Sequence, residues 1–155
     1  MANTHATTDA RALLRHAGLR VTKPRLSVID YLTHHPHAAA DRVAGSVRED
    51  LGSVSTQAVY DVLHALTGAG IARRIEPAGS SALFELRSGD NHHHLVCRSC
   101  GLVIDVDCAE GSAPCLQPAH DPGFEVDEAE IVFWGHCGRC AQTNRQRTNF
   151  QEENA

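Results

Sequence analysis

Two pairs of cysteines with the spacing Cys-x-x-Cys are the clearest chemical signal in this sequence of 155 residues. The first pair is Cys97 and Cys100, and the second pair, Cys137 and Cys140, follows after an interval of 36 residues. Four thiolates at such spacings can close a tetrahedron around Zn²⁺, and the long interval predicts a clamp between two distant segments. Two local disulfides are one alternative. A redox pair of the thioredoxin type is another, but it requires a CxxC motif that opens a helix in a βαβ unit, which neither pair is predicted to do.

Three consecutive histidines before the first cysteine pair predict a second metal site of different chemistry. Because side chains alternate between the faces of a strand, His92 and His94 would share one face and His93 would point to the other. Glu85 ends a preceding strand, and Asp105 lies in an otherwise apolar strand, where an unpaired carboxylate is costly to bury. Imidazoles with carboxylates suit Fe(II), Mn(II) or Zn(II) better than a thiolate cage does. The sequence thus predicts one closed, structural site and one exchangeable site, with an exposed histidine run as the alternative to the latter.

Composition favours a globular protein in a reducing compartment. Hydrophobic residues make up 42% of the chain and charged residues 21%, and no apolar run approaches the roughly 20 residues of a membrane helix. The N-terminal residues include no apolar stretch of signal-peptide length, so we expect a cytoplasmic protein without a membrane partner. Cysteines in that compartment are metal ligands or redox thiols. The motifs of zinc deaminases, zincins and serine hydrolases are absent from the sequence, which predicts a protein that is not an enzyme.

Charge is distributed unevenly, although the net charge of −5 alone argues against a nucleic-acid partner. Residues 1–84 contain nine Lys and Arg against seven Asp and Glu, whereas residues 85–155 contain five against twelve. Within residues 1–25 the basic residues outnumber the single acid, Asp9; they are Arg11, Arg15, Arg20, Lys23 and Arg25. This pattern indicates a patch that binds phosphates, or alternatively a solvated helix face.

The first part of the chain must present this patch, and its pattern predicts four short helices before any strand. They cover residues 8–17, a segment that begins at the Thr22 cap, residues 39–50, and a segment capped by Ser55. A two-stranded hairpin follows, formed by "IARRIEP" and "SALFELR" around the turn "PAGSS". This order is typical of a winged helix-turn-helix unit, which presents one helix to the major groove of DNA.

The second part is predicted to be built from strands: "HHLVC", "GLVIDVD" and "GFEVDEAEIVFWG", with the helical or looped segment "CAEGSAPCLQPAHDP" before the last. Because so much sheet leaves edges that need a partner, we expect a dimerisation domain. The predicted fold class is α+β. A winged helix-turn-helix DNA-binding domain covers residues 1–84, with a hinge near 85–91. An α/β dimerisation domain with a structural Zn(Cys)4 site covers 92–141, and a polar tail at 142–155 is predicted to be disordered.

Four segments resemble the ferric uptake regulator family over residues 8 to 141: "GLRVTKPRLSVIDYL", "VSTQAVYDVLHAL", "FELRSGDNHHHLVCRSCG" and "WGHCGRC". The likeness is greatest to its actinobacterial peroxide-responsive repressors. The resemblance implies a homodimer whose binding to double-stranded DNA depends on metal. It implies structural Zn²⁺ on the four cysteines, and regulatory Fe²⁺ or Mn²⁺ on His37, Glu85, His92, His94 and Asp105.

The resemblance also implies the residues that contact an A·T-rich palindromic operator: Arg20, Arg25, Ser55, Thr56, Gln57 and Tyr60. Tyr60 would pack against a thymine methyl group, Arg20 would enter the minor groove, and Arg25 would contact phosphate. Asp61 follows where many relatives have arginine or asparagine, so the base preference at that edge is expected to differ from theirs.

Aspartate at position 105 resembles the peroxide sensors of the family, whereas iron-responsive members commonly have glutamate there. In those sensors bound Fe(II) reduces peroxide and a ligand histidine, here His37 or His92, is oxidised, which relieves repression. Catalase genes, other oxidative-stress genes and the regulator's own gene are the implied targets. A repressor of iron or zinc uptake is the alternative within the family. A thiol-redox enzyme built on Cys108 and Cys115 or on the CxxC pairs is the alternative outside it. Cys108 and Cys115 are otherwise a secondary thiol switch or small buried residues.

Overall fold

The structure, a computed structural model, describes residues 9–77, 81–87, 92–107, 123–125 and 131–143. The chain divides into two compact units, Met1–Gly89 and Asp90–Ala155. Each unit contains one three-stranded sheet among these residues. Within the same residues, no helix has the length and apolar character needed to span a bilayer.

Three of the four helices of the first unit begin where a polar side chain caps them, whereas the third, which begins after Ala39, has no side-chain cap. Asp9, Thr22 and Ser55 each accept a hydrogen bond from a backbone N–H in the first turn, which satisfies donors that would otherwise have no partner in the helix. Gly52 ends the third helix with φ of +77°, a backbone conformation that a side chain disfavours. The helices are α1 (Ala10–His16), α2 (Lys23–His34), α3 (Ala40–Leu51) and α4 (Thr56–Gly68).

One apolar core holds these helices together. α2, α3 and α4 each contribute three or more buried side chains, and α1 contributes Leu14. The members with no exposed surface include Leu14, Val28, Val43, Val47, Val59, Leu63 and Leu66. The predicted stripe of α4, Val59, Leu63 and Leu66, is therefore its buried face.

The sheet of the first unit contains the predicted hairpin and one strand that was not predicted. Strands β2 (Ala72–Ile75) and β3 (Leu83–Leu86) pair antiparallel. On the other side of β3 lies β1 (Ala38–Ala39), which also pairs antiparallel. The prediction of four helices before any strand is thus wrong, because β1 precedes α3. Two alanines are too short a segment to show the alternation by which a strand is predicted.

The second unit has strands β4 (His92–Cys97), β5 (Val103–Asp107) and β6 (Val132–Gly135). β4 lies in the centre, antiparallel to β5 and parallel to β6. The predicted strand at 123–135 is shorter than expected: residues 123–125 are not in a strand, and 126–130 lie outside the described residues. The predicted helical or looped segment 108–122 also lies outside them.

The residues after β6 differ from the prediction at one point. Residues 138–143 are helical, although no helix was predicted there. The predicted disordered tail, 142–155, shares its first two residues with this helix, and the remainder of the tail lies outside the described residues.

One face of the second sheet has an apolar row that is exposed in the isolated chain. Leu95 in β4 is directly opposite Ile104 in β5 and Phe133 in β6. All three side chains are more than two-fifths exposed. Large apolar side chains that adjoin one another on a surface indicate a face that binds another protein.

Candidate metal centres and nucleic-acid interface

The four predicted zinc ligands come together in the second unit. The sulfur atoms of Cys97, Cys100, Cys137 and Cys140 all lie within 4.8 Å of one another, and none of these cysteines forms a disulfide. A tetrahedron with Zn–S distances near 2.3 Å places its sulfur atoms about 3.8 Å apart. The Sγ atoms of Cys100 and Cys137 are 3.8 Å apart. The four thiols therefore fit a tetrahedral ion and exclude disulfide bonds in this conformation.

Backbone pairing brings the two CxxC segments together. β4 and β6 run parallel with Cys97 opposite Gly135, and the backbone N–H of Arg98 donates to the Gly135 carbonyl at 2.8 Å. The N–H of Cys137 donates to the sulfur of Cys97 at 3.3 Å. The cluster is thus positioned by strand pairing as well as by its own side chains.

Two side-chain contacts join the same segments and were not predicted. Ser99 Oγ and His136 Nδ1 share a hydrogen bond of 2.9 Å, and the Arg98 guanidinium lies 5.0 Å from the centre of the Trp134 ring. A cation over an aromatic ring is attracted by the negative face of the ring. The parallel pairing of β4 with β6 was the missing signal, because sequence spacing alone does not show which strands are neighbours.

The thiols of the cluster differ in acidity. The N–H of Cys137, followed by that of Cys100, lowers the pKa of Cys97 to about 5. Hydrogen bonds with the Cys137 and Cys100 thiols raise the pKa of Cys140 to about 12. Hydrogen bonding in the cluster thus favours the thiolate at Cys97 and the protonated thiol at Cys140. Binding of a dication requires deprotonated ligands and so releases protons.

The second CxxC motif opens a helix, contrary to the prediction, although no strand follows that helix among the described residues to complete a βαβ unit. Residues 138–143 are helical, and the Ala141 N–H donates to the Cys137 carbonyl. The segment was missed because "GRCAQT" has little apolar periodicity. Convergence of all four sulfur atoms is now the stronger reason to assign the motif to metal binding.

His37 and Glu85 meet in the first unit. The pairing of β1 with β3 places Ala38 opposite Phe84, so the next step of the register brings residues 37 and 85 together. His37 Nε2 lies 2.9 Å from Glu85 Oε2, and the Glu85 side chain is only 3% exposed. His37 has φ of +58°. A residue other than glycine in this left-handed region costs about 1–3 kcal/mol, and such strain is concentrated at functional sites.

Arg73 is a neighbour of Glu85 that was not predicted. It lies directly opposite Glu85 in the β2–β3 hairpin, and its Nη1 atom is 3.8 Å from Glu85 Oε1. The buried carboxylate thus has cationic or polar groups near both oxygens. The register of the predicted hairpin was the signal that could have found Arg73.

His92, His94 and Asp105 form a second group, in the second unit. His94 is directly opposite Asp105 across the β4–β5 ladder. The Nε2 atoms of His92 and His94 lie 3.7 and 3.5 Å from the same Asp105 oxygen, and the ring centres are 5.1 Å apart. Donors that share an ion at about 2.1 Å are separated by roughly 3 to 3.5 Å. Each imidazole nitrogen thus lies close to the separation from the Asp105 oxygen that a shared ion requires, and nitrogen and oxygen donors suit Fe(II) or Mn(II).

The histidine alternation follows the prediction, but the burial of Asp105 does not. His93 points to the other face of β4, where its ring lies edge to face with Phe133. Asp105 is 45% exposed and His94 is fully buried, so in this unit the imidazole rather than the carboxylate is shielded from water. The apolar neighbours of Asp105 misled the prediction because Ile104 beside it is itself exposed.

The predicted DNA-reading residues lie on the N-terminal part of α4. Ser55, Thr56 and Gln57 are exposed and Tyr60 is half-buried. The Tyr60 hydroxyl donates to Asp41 on α3 at 3.3 Å, and the negative charge of Asp41 raises the pKa of Tyr60. This hydrogen bond holds the Tyr60 ring against the preceding helix.

Two further contacts orient residues of the predicted interface. Gln57 Nε2 donates to Asp61 Oδ1 at 2.8 Å, one turn along α4. Arg25 Nη1 donates to the carbonyl of the exposed Arg20 at 2.7 Å, so Arg25 supports the loop that precedes α2. Cys108 and Cys115, the predicted thiol pair, lie outside the described residues.

Residues 16–134 match the model of the Ferric uptake regulator family. "Transcriptional regulator FurA" of Mycobacterium tuberculosis is 54% identical over 141 residues, which are 91% of this chain and 96% of that protein. "Ferric uptake regulation protein 1" of Mycolicibacterium fortuitum is 57% identical over 126 residues, or 81% of this chain and 78% of that protein. More distant is "Peroxide-responsive repressor PerR" of Staphylococcus aureus, at 27% identity over 88% of this chain and 92% of that protein.

Solved structures agree with these sequence matches. The ferric uptake regulator from Pseudomonas aeruginosa with manganese superposes with a TM-score of 0.64 at 27% identity, over 84% of this chain and 99% of that one. The predicted combination of a helical unit with sheets and a four-cysteine cluster is thus confirmed.

Proposed function

This chain belongs to the ferric uptake regulator family of metal-responsive transcriptional regulators, and on that premise we propose that it is a repressor that senses peroxide. It is a regulator and not an enzyme, and its mycobacterial relative FurA is likewise named a transcriptional regulator. In the proposed repressing form a homodimer with Fe²⁺ or Mn²⁺ binds an A·T-rich palindromic operator in the cytoplasm. Catalase genes, other oxidative-stress genes and its own gene are the proposed targets.

Structural zinc is proposed for the four-cysteine cluster. The separation of the sulfur atoms supports this assignment, and so does the N–H···S bond to Cys97, which favours a thiolate. All-thiolate tetrahedral sites have no open position for a substrate and are typical of structural zinc. This ion would hold the two CxxC segments together without taking part in sensing.

One regulatory ion is proposed to take ligands from both units. His37 and Glu85 would come from the first, and His92, His94 and Asp105 from the second. The proposal rests above all on the convergence of two imidazole Nε2 atoms on one oxygen of Asp105. An ion that binds better to one arrangement of the units than to others shifts the population towards that arrangement, and in this way metal binding would become DNA affinity.

Peroxide sensing is proposed from the carboxylate at position 105, in line with the resemblance. When bound, Fe(II) supplies the reducing electrons for peroxide. The proposed role of the protein is to hold an oxidisable imidazole, that of His37 or His92, next to the ion. A ring that has gained oxygen is a poorer ligand, so oxidised protein would release the metal and the operator.

A repressor of metal uptake is the second candidate, since the M. fortuitum relative is named for ferric uptake regulation. The two candidates differ in whether peroxide inactivates the Fe(II) form. We expect gel-shift binding to the protein's own promoter with Mn(II) and with Fe(II), and loss of binding when peroxide is added to the Fe(II) form alone. Mass spectrometry should then find one added oxygen atom on a peptide that contains His37 or His92.

The matched variant is Asp105→Glu, which keeps a carboxylate ligand. It should bind DNA with Mn(II) and with Fe(II) but resist peroxide. If peroxide releases the wild-type protein from DNA but His37 and His92 remain unmodified, peroxide sensing is contradicted and the uptake repressor is favoured. No binding with any metal would contradict both candidates.

The homodimer is supported by the exposed row of Leu95, Ile104 and Phe133 on the second sheet. DNA binding is supported by the exposed N-terminal residues of α4 and by the exposed Arg20. A recognition helix meets base edges with its N-terminal residues, and a symmetric dimer matches a palindrome.

A further inference from the structure

The side chains of Gln57 and Asp61 form a pair on the exposed surface of α4. They are four residues apart, so they lie on the same side of the helix one turn from each other. Both are exposed, and the Gln57 amide nitrogen donates to an Asp61 oxygen at 2.8 Å. The distance is typical of a hydrogen bond to an ionised acceptor.

This bond determines which way the Gln57 amide faces. An ionised carboxylate can only accept hydrogen bonds, so the side of the amide that faces Asp61 must be its NH2 group. A flipped amide would place Oε1 against the Asp61 carboxylate, and two acceptors repel each other. The oxygen of Gln57, with the second N–H beside it, is therefore left to meet an outside partner.

Adenine and guanine differ in whether they can pair with the outward oxygen and N–H of the Gln57 amide. Adenine presents an amine donor at N6 and an acceptor at N7 in the major groove, which match an amide oxygen and an N–H side by side. Guanine presents two acceptors, O6 and N7, so an outward amide oxygen would be repelled. A glutamine that can rotate could turn its NH2 group to guanine instead.

We propose that Asp61 is a positioning residue for base recognition, because it holds Gln57 in the orientation that selects adenine and rejects guanine. The inference rests on the proposed DNA-binding function and adds to it a residue that determines specificity. Asp61 acts through Gln57 and contacts no base in this arrangement. Its negative charge near the DNA backbone would cost affinity, so its effect on affinity and its effect on specificity should have opposite signs.

The test uses the full chain with Mn(II) and a randomised duplex DNA library, from which a preferred operator is selected. Each adenine of that operator is then replaced by guanine, and the dissociation constants are compared. We expect one position in each half-site at which wild type prefers adenine by about tenfold, in line with one good base contact. Gln57→Ala should abolish this preference, and the double variant with Asp61→Ala should behave as Gln57→Ala does.

Asp61→Ala should reduce the same preference to about twofold or less while affinity for the selected operator stays equal or rises. Asp61→Glu, which restores an acceptor, should recover most of it. The control Asp30→Ala removes another exposed carboxylate, on α2, and should change neither the adenine preference nor the affinity. Circular dichroism checks that each variant is folded.

Two results for Asp61→Ala would overturn the inference while leaving DNA binding intact. One is an adenine preference as large as that of wild type. The other is an equal loss of affinity for the selected operator and for each of its guanine-substituted versions. If the wild-type protein selects no sequence from the library with any divalent metal, the DNA-binding function is overturned, and the inference with it.

Discussion

The two units differ in the interactions that stabilise each of them internally. Among its described residues, the first has a contiguous apolar core of fifteen buried side chains. In the described part of the second, Val96, Cys97 and Val103 are the buried apolar residues, and the four-cysteine cluster lies at the end of the same sheet. This contrast among the described residues leads us to expect that the first unit is stable without metal, whereas the proposed zinc adds to the stability of the second. A small apolar core is commonly supplemented by a metal or by disulfides.

Loss of the cluster is the strongest test of this contrast. We expect Cys137→Ser to lose zinc and to expose the amides of β4 and β6 to hydrogen exchange, while those of α2, α3 and α4 remain protected. Structural zinc contributes about 10–16 kcal/mol of apparent folding energy in small peptides, more than any single side-chain contact. Metal analysis and hydrogen exchange of the two units check this. Cys115→Ser is the control and should retain zinc; unchanged exchange in β4 after zinc loss would show that strand pairing is sufficient.

The converse test removes apolar volume from the first unit. Leu63→Ala, at a fully buried position of α4, should destabilise that unit by about 2–5 kcal/mol. Circular dichroism follows its helices, and fluorescence of Trp134, the only tryptophan, follows the second unit. In urea titrations of Leu63→Ala, the unfolding midpoint seen by circular dichroism should fall, whereas the midpoint seen by Trp134 fluorescence should not change. Val62→Ala, half-buried on the same helix, should cost about 1 kcal/mol, and equal losses for both variants would contradict the assigned core.

A third prediction separates the regulatory ligands from the structural ones. Glu85→Gln removes the buried carboxylate beside His37, so the Mn(II) dependence of DNA binding should move to concentrations at least about tenfold higher. Zinc content should not change. The control is Glu76→Gln, which changes an exposed carboxylate on the same hairpin that pairs with Arg74. Loss of zinc in Glu85→Gln would mean that the two sites are not independent.

The smallest predicted effect concerns Arg20 and Arg25, the two arginines of the first unit that are expected to contact DNA. Arg20→Ala should weaken DNA binding and reduce the slope of log affinity against log salt by about one. Arg25→Ala should weaken binding as well, because its guanidinium holds the Arg20 carbonyl. Titrations at several salt concentrations measure both, and an unchanged slope would remove Arg20 from the interface.

Local signals predicted most of the fold. The caps Thr22 and Ser55 and the apolar stripe of α4 determine helices through neighbours in sequence, and such interactions are visible without coordinates. Two of the features that were missed depend on partners distant in sequence. β1 exists because β3 provides hydrogen-bond partners for two alanines, and the exposure of Asp105 depends on what covers β5.

The candidate sites divide in the same way. Spacing was sufficient to predict that the four cysteines form one group, because two CxxC motifs in a reducing compartment favour a shared ion over disulfides. Alternation along β4 was sufficient to place His92 and His94 on one face. Residue types alone could not show that Arg73 lies beside Glu85 or that Asp61 holds Gln57, because each contact depends on a register or on a rotamer.

The short strand β1 also bears on how genetic data for this protein would be read. Backbone hydrogen bonds to β3 place Ala38 beside Phe84, a core residue, and the side chains at 37 and 85 are next along the same ladder. A genetic screen for mutants that no longer respond to metal should therefore identify substitutions of Phe84 and its packing neighbours as well as substitutions of the ligands. Such core alleles should be temperature-sensitive, whereas ligand alleles should be defective at every growth temperature.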